Sequence, residues 1–223
     1  GTLQCDASDF PADLGHALNE SGAAAFTFRY DNTPPTGVSL GIGAITMDSI
    51  EVTGAGSDAH SGVNASTGYN YSRTGASDSG AKGTAHTWTG LVANTEYPGL
   101  VVTVSDQTVP TPNTAASAPQ SAWTLSVPPV AGSITPDSVS VTYGSTNTWT
   151  AVNGFGAGQV QYYRYAFDQS PTHAWTDTEP QWWGGTLATV PAAVGTWYLH
   201  VKGYNGADVG NGAYDYSVTV SVK

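Results

Sequence analysis

The sequence contains a single cysteine, Cys5, among its 223 residues, so no disulfide can form within the chain. No histidine or asparagine context around Cys5 would activate its thiol. We therefore expect a buried small side chain, or an unpaired partner for another chain, rather than a nucleophile. A unit of about 95 residues buries enough apolar surface to fold without cross-links.

Basic residues are also scarce. Only six lysines and arginines are present against 17 acidic residues, which gives a net charge of −11. Such a chain cannot replace the counterions of a phosphate backbone, so nucleic acid and anionic membrane surfaces are poor partners, and we expect no nucleic acid among them.

Long apolar runs and helical periodicity are nearly absent. No stretch approaches the eighteen apolar residues of a membrane-spanning helix, and no signal-peptide pattern follows Gly1. The one helical candidate, residues 10–25, is interrupted by Gly15 and Gly22. The 27 glycines, 13 prolines and many threonines and serines favour turns and strands. We expect a segment of a longer exported protein, located outside the cell or at its surface, without a membrane span.

A series of three motifs occurs twice along the chain. An aromatic strand is followed by a Pro-Pro pair and then by an Asp-Ser-apolar-x-Val-Thr motif. The proline pairs, at 34–35 and 128–129, are 94 residues apart, and the motifs, at 48–53 and 137–142, are 89 apart. This spacing is the length of one small β-sandwich. It predicts a leader or the last strands of a preceding module at 1–33, a first unit at 34–127 and a second unit at 128–223.

Strand patterns fill both units and predict an all-β fold of tandem antiparallel sandwiches. Apolar residues alternate or run together between Gly, Pro, Asn and Asp clusters. The predicted strands are 24–30, 38–45, 49–53, 68–72, 84–89, 99–105 and 122–127, followed by 138–143, 146–152, 159–168, 186–190, 195–204 and 214–222.

The segment from Leu91 to Tyr97, Leu-Val-Ala-Asn-Thr-Glu-Tyr, resembles the Leu-x-Pro-x-Thr-x-Tyr turn of fibronectin type III domains, with Ala93 in place of proline. In that family the tyrosine hydroxyl bonds to upstream backbone and fixes the crossover between the two sheets. Segments 58–63 and 101–106 also resemble a turn and a strand of such modules, and the likeness covers residues 26–127. The resemblance implies a scaffold and spacer without catalytic residues.

The second unit is similar, over residues 195–205, to a late strand of bacterial surface Ig-like domains. Alternation there places Trp197, Leu199 and Val201 on the core face, and Tyr198, His200 and Lys202 on the other face. This unit holds 15 of the 24 aromatic residues of the chain, so some of them must be exposed.

A loop-like stretch at 170–185 supplies the candidate contact residues: Trp175, Trp182, Trp183, Asp177 and Gln181. Carbohydrate sites place flat aromatic faces against sugar rings and bind hydroxyls with carboxylates and amides. Alternatively, Trp182 or Trp183 covers the end of the sandwich, packs on a neighbouring domain, or contacts another protein. The glycan hypothesis predicts that Trp182 or Trp183 is exposed and coplanar with another aromatic ring.

Other chemistry is weakly supported. The Asp177 and Glu179 pair fits solvated carboxylates better than a general acid and base. The histidines lack zinc-ligand spacing, and Asp58, Asp208 and Asp215 fit turns better than a calcium loop. Three Asn-x-Ser sequons, at 19, 64 and 70, are compatible with glycosylation where the source has the machinery. We expect no catalytic residues, no cofactor and no metal.

These observations favour non-catalytic spacer or attachment modules of a large exported prokaryotic protein. The expected partners are neighbouring domains or identical subunits, with polysaccharide as an alternative. A carbohydrate-binding module accessory to a polysaccharide-degrading enzyme is the second hypothesis. A self-assembling surface filament or surface-layer subunit is the third, in which strand 24–30 completes the sandwich of a neighbour.

Overall fold

A computed structural model describes residues 31–223. Cys5, the sequon at 19, the helical candidate at 10–25 and the strand at 24–30 lie outside the described residues. The strand-addition hypothesis depends on that strand, so it stays a prediction.

The first sandwich comprises seven strands in two sheets. One sheet has the order β1-β2-β4, and the other has the order β3-β5-β6, with β7 also paired to β5. All these pairings are antiparallel. The strands are β1 Thr36–Ile45, β2 Ile50–Ser57, β3 Tyr69–Ser72, β4 Ala85–Trp88, β5 Glu96–Ser105, β6 Thr114–Ala116 and β7 Gln120–Trp123.

The second sandwich comprises eight strands, again in two sheets. A three-stranded sheet has the order β13-β10-β8, and a five-stranded sheet has the order β12-β11-β14-β15-β9. The β15–β9 pair is parallel, whereas the other pairs are antiparallel. The strands are β8 Ile134–Pro136, β9 Ser140–Thr142, β10 Asn147–Ala151, β11 Tyr162–Asp168, β12 Gln181–Trp182, β13 Thr186–Thr189, β14 Gly195–Tyr204 and β15 Gly210–Ser221.

The predicted all-β class of tandem antiparallel sandwiches is confirmed, with β9 as the parallel exception. Three strands escaped the sequence analysis, namely β6, β8 and β12. They have three, three and two residues, which is too short for alternation to show. The strand predicted at 122–127 overlaps β7 by only two residues.

Each sandwich has its own apolar core. Leu100, Val102 and Val104 alternate inward along β5 in the first core, and Trp149 is fully buried in the second. The predicted inward set Trp197, Leu199 and Val201 is confirmed, because all three side chains are buried in the second core. Burial of these apolar surfaces is the main favourable term in folding.

The two Asp-Ser motifs are not structural equivalents. The first continues into β2, the middle strand of a sheet, where Ile50 and Val52 are fully buried. The second continues into β9 at the edge of the five-stranded sheet, where Val141 is buried but Val139 is exposed. The similar motif therefore serves two different strand positions.

The predicted tyrosine corner is present in the β4–β5 connection. The backbone N–H of Val92 donates to the hydroxyl of Tyr97 over 2.7 Å. In the corresponding β13–β14 connection, Trp197 Nε1 donates to the carbonyl of Ala193 over 2.9 Å. The second sandwich thus fixes the same crossover with an indole instead of a phenol.

Candidate functional site

Polar and aromatic side chains crowd the outer face of the five-stranded sheet, the face turned away from the core. Register pairs Tyr162 with Tyr204 and Arg164 with Lys202 across β11 and β14. Gln181 of β12 lies opposite Arg164. Strand alternation therefore gathers these residues on one surface, and the loop at 169–180 folds over part of it.

Three rings on this outer face form a stack that we call the aromatic column. Trp183 stacks on Tyr162 with ring centroids 4.4 Å apart and planes 26° apart. Tyr162 stacks on Tyr204 at 5.1 Å and 6°. Each tyrosine is 2% exposed, whereas Trp183 is 54% exposed. The column therefore ends in an indole with one face available to solvent.

Hydrogen bonds fix the rings of the column. Trp183 Nε1 donates to Gln181 Oε1 over 3.0 Å. The Tyr162 hydroxyl donates to Asp208, and the Tyr204 hydroxyl donates to Asp177. Asp208 and Asp177 both have positive φ, 60° and 59°, a conformation that aspartate tolerates better than most residues.

The two cations of this face are already engaged. The Arg164 guanidinium lies 5.2 Å from the Tyr204 ring centroid and donates to the carbonyl of Glu179 over 3.0 Å. Lys202 Nζ donates to Asp177 over 2.9 Å. The hydrogen bond from Tyr204 and the Lys202 ammonium lower the pKa of Asp177. The carboxylate therefore stays ionised.

A second polar group lies beneath the loop at 169–180. His200 is fully buried on the outer face, and its Nδ1 lies 2.7 Å from Asp215 Oδ1. The His200 ring stacks on His173 at 5.3 Å, and His173 contacts the Trp175 ring edge to face. This loop explains why an outward residue of β14 is buried.

Glu179 anchors the same loop. Although burial raises its pKa, the backbone N–H and hydroxyl of Thr176, together with His173, lower the pKa of Glu179 to about 2. Asp177 and Glu179 thus each accept structural hydrogen bonds. The Asp177 side chain is solvated as expected, whereas the Glu179 side chain is only 8% exposed because the loop closes over it, so the expectation of a solvated carboxylate is wrong there.

The structure separates the five sequence-predicted contact residues. Trp182 is 4% exposed and packs against Phe155 and Tyr163 in the second core, so the hypothesis that its ring contacts a ligand is wrong. Alternation along β12 sends Trp182 inward while Trp183 remains on the outer face. Trp175 is half-buried, whereas Asp177 and Gln181 are exposed. Sequence reasoning missed Tyr162 and Tyr204, since buried tyrosines outside a core have no distinctive pattern.

A junction between the sandwiches forms a second feature of interest. Asn94, 2% exposed and with φ of 46°, donates through Nδ2 to the Gly156 carbonyl over 2.8 Å. Its Oδ1 accepts from the Gly206 backbone N–H over 2.9 Å. Asn205 Nδ2 donates to the Thr124 carbonyl over 2.9 Å in the opposite direction. Sequence analysis marked Asn94 only as part of the fibronectin-like turn.

One cluster could supply metal ligands. Asp31, Asp58 and His60 each bring one ligand atom within 4.8 Å of the others. However, Asp58 Oδ1 already accepts the backbone N–H groups of His60, Ser61 and Gly62. These are the bonds of a tight turn, so the cluster has a structural explanation. Neither Asp208 nor Asp215 belongs to it.

The described residues thus define an all-β protein of fibronectin type III-like sandwiches with a tyrosine corner. The chain is similar to a solved structure described as Clostridium thermocellum CbhA fibronectin(III)-like modules, at 12% identity and a TM-score of 0.36, covering 83% of this chain and 94% of that one. It is also similar to chicken CNTN1 FN1-FN3 domains, at 15% identity and a TM-score of 0.31, covering 85% and 66%. Because both TM-scores are below 0.5, the fold assignment rests on the strand order and the corner.

No protein-family model and no curated protein matches the chain. Among residues 31–223, no helix is long and apolar enough to cross a membrane.

Proposed function

We propose that the chain is a pair of non-catalytic spacer and attachment modules of an extracellular protein, divided between Val127 and Pro128, which hold their neighbours at a fixed separation and orientation. The observation that carries this proposal is Asn94, a buried side chain that bridges the two sandwiches as donor and acceptor. Hydrogen bonds are directional, so satisfying both ends of one amide selects one relative orientation.

The connecting residues support the same function, because they are bonded rather than free. The Leu125 N–H donates to the Thr46 carbonyl of the first sandwich over 2.9 Å. Two residues later, the Val127 N–H donates to the Gln159 carbonyl of the second over 3.0 Å. Pro128 and Pro129 then restrict the backbone further. A flexible linker would leave these groups to water.

The expected partners are neighbouring domains of the same protein or identical subunits. Rigid spacing serves an adhesin, a surface layer or a multimodular secreted enzyme, each of which needs defined distances between working parts. The acidic, low-lysine surface suits an extracellular setting in which nucleic acid is not a partner.

The test is ¹⁵N relaxation of the whole chain. Amides of both sandwiches are expected to fit one rotational diffusion tensor, as for a single elongated body. Asn94→Ala removes the bridging amide and is expected to require two tensors. Asn70→Ala, which removes an amide bonded to Asp78 at 3.3 Å within the first sandwich, is the matched control and should keep one. A wild-type chain that already requires two tensors contradicts the spacer proposal.

A further inference from the structure

We propose that the exposed face of Trp183, at the end of the aromatic column, binds a neutral glycan chain. Trp183 itself makes no contact with Asn94, although Asp208 beside the column belongs to the same turn as the junction residues Asn205 and Gly206. Variants of Trp183 therefore test this proposal separately from the spacer function. It would add attachment to carbohydrate to the properties of the second sandwich.

The first argument is preorganisation. Tyr162 and Tyr204 are buried but belong to neither core. Tyr204 stacks on Tyr162, and Tyr162 stacks on the inner side of the Trp183 ring, so the two tyrosines hold that ring in place. The bond from Trp183 Nε1 to Gln181 fixes the ring further. A flat apolar face that is already held in place loses little entropy when a ligand stacks on it.

The second argument is access. Trp183 is 54% exposed although Tyr162 stacks on one side of its ring. A methyl group added at Gly185, two residues further on, would meet no atom within 4 Å, so that residue does not lie against the ring. The side of the ring that faces away from Tyr162 is therefore available to a ligand. A sugar ring presents C–H groups on one face, which suits contact with an aromatic face.

The third argument is the polar rim. The side chains of Asp177 and Asp208 are 60% and 67% exposed, and each is oriented by a tyrosine hydroxyl of the column. An ionised carboxylate has several acceptor sites, so lone pairs remain for sugar hydroxyls. Apolar stacking with a few fixed polar groups is the usual composition of a small-molecule site.

The charge of the protein and the small apolar area around Trp183 favour a neutral glycan over an anionic polysaccharide or a protein. The net charge of −11 and the engagement of Arg164 and Lys202 with protein acceptors disfavour uronic or sulfated polysaccharides. A stable protein partner needs about 800 Å² on each side. Trp183, at 54% exposure, and Val209, at 46% and next to Asp208 in sequence, are the exposed large apolar residues that adjoin the column or its rim, and two such side chains offer far less area than that.

The experiment is affinity electrophoresis of the full chain in gels containing soluble neutral polysaccharides, namely a β-glucan, a xylan and a galactomannan, with polygalacturonate as the anionic comparison. At least one neutral polymer is expected to retard the wild-type chain, and polygalacturonate is not. Trp183→Ala should weaken the apparent affinity by about tenfold or more, and Trp183→Tyr, which keeps a flat ring, by less.

Tyr143→Ala is the matched control, because Tyr143 is an equally exposed aromatic residue of the second sandwich, 53% against 54%, that lies outside the column. It should leave retardation unchanged. Absence of retardation by every neutral polymer overturns the proposal, as does equal retardation of Trp183→Ala. Self-association that sedimentation velocity detects in the wild type and not in Trp183→Ala would assign the ring to a protein contact instead, and would also overturn it.

Discussion

Gly206 offers the sharpest test of the junction, because substituting it adds one carbon and removes no hydrogen bond. A Cβ built on Gly206 would overlap the six-membered ring of Trp123 from the first sandwich, and even the Cε3 atom of that ring would lie only 2.8 Å away. Carbon atoms in contact prefer about 3.5–4.0 Å. In the Gly206→Ala variant, the ring and the turn must therefore separate by about 1 Å.

Overpacking of this kind costs about 1–3 kcal/mol. If the cost falls on the contact between the sandwiches, the docked form becomes about 5- to 150-fold less favoured relative to the undocked form. The φ of Gly206 is not in the left-handed region, so alanine adds no backbone strain there. The steric cost is then opposed by the lower entropy of the unfolded chain that any Gly→Ala change brings, about 0.4–1 kcal/mol. The Gly184→Ala control shares that contribution.

Urea unfolding followed by tryptophan fluorescence measures this cost. The double variant Gly206→Ala with Trp123→Leu removes the clashing ring, so it should be less destabilised than the sum of the single variants. Gly184→Ala is the control, since a Cβ there meets no atom within 4 Å. If Gly206→Ala were as stable as Gly184→Ala, or the two single effects added without coupling, the tight contact at the junction would be refuted.

Three further outcomes are expected. Tyr97→Phe removes the hydroxyl that accepts the Val92 N–H and should cost about 0.5–1.5 kcal/mol of unfolding free energy in a urea titration. Thr189→Val leaves the buried Trp149 Nε1 donor without its 2.9 Å partner and should cost about 1–3 kcal/mol, whereas an unchanged urea midpoint would contradict that bond. The folded pKa of Glu179 is lowered from 4.5 to about 2, so its stabilising contribution is present above pH 4.5 and is lost as the pH falls toward 2. Glu179→Gln should flatten the dependence of unfolding free energy on pH in that window, and an unchanged slope would argue against it.

The β-sandwich class could be predicted because its signals are local. Alternation along β14 and the Leu91 to Tyr97 turn each depend on neighbouring residues, and both predictions are confirmed. The Asp-Ser motif shows the limit of such signals. Its local pattern fits any half-buried strand, so it could not distinguish the middle strand β2 from the edge strand β9.

The candidate site was only partly predictable for a related reason. The sequence indicated that some aromatic residues of the second unit are exposed, and the glycan hypothesis required Trp182 or Trp183 to be one of them. The two are adjacent, yet Trp182 is buried and Trp183 is exposed. Which of them faces outward is set by the register of Gln181 with Arg164, a pairing 17 residues away in sequence. The supporting tyrosines come from two other strands, which only the assembled sheet brings together.

The parallel pairing of β9 with β15 has a mechanical consequence. Tension along the chain pulls on β9 from its beginning and on β15 from its end, in opposite directions. Because the two strands run side by side in the same direction, from Ser140–Thr142 against Thr219–Ser221, this force slides one along the other. The three paired positions are then loaded together, whereas an antiparallel hairpin pulled at its ends opens one pair at a time. Under such tension, the parallel pair would therefore resist separation by shear across all three positions at once.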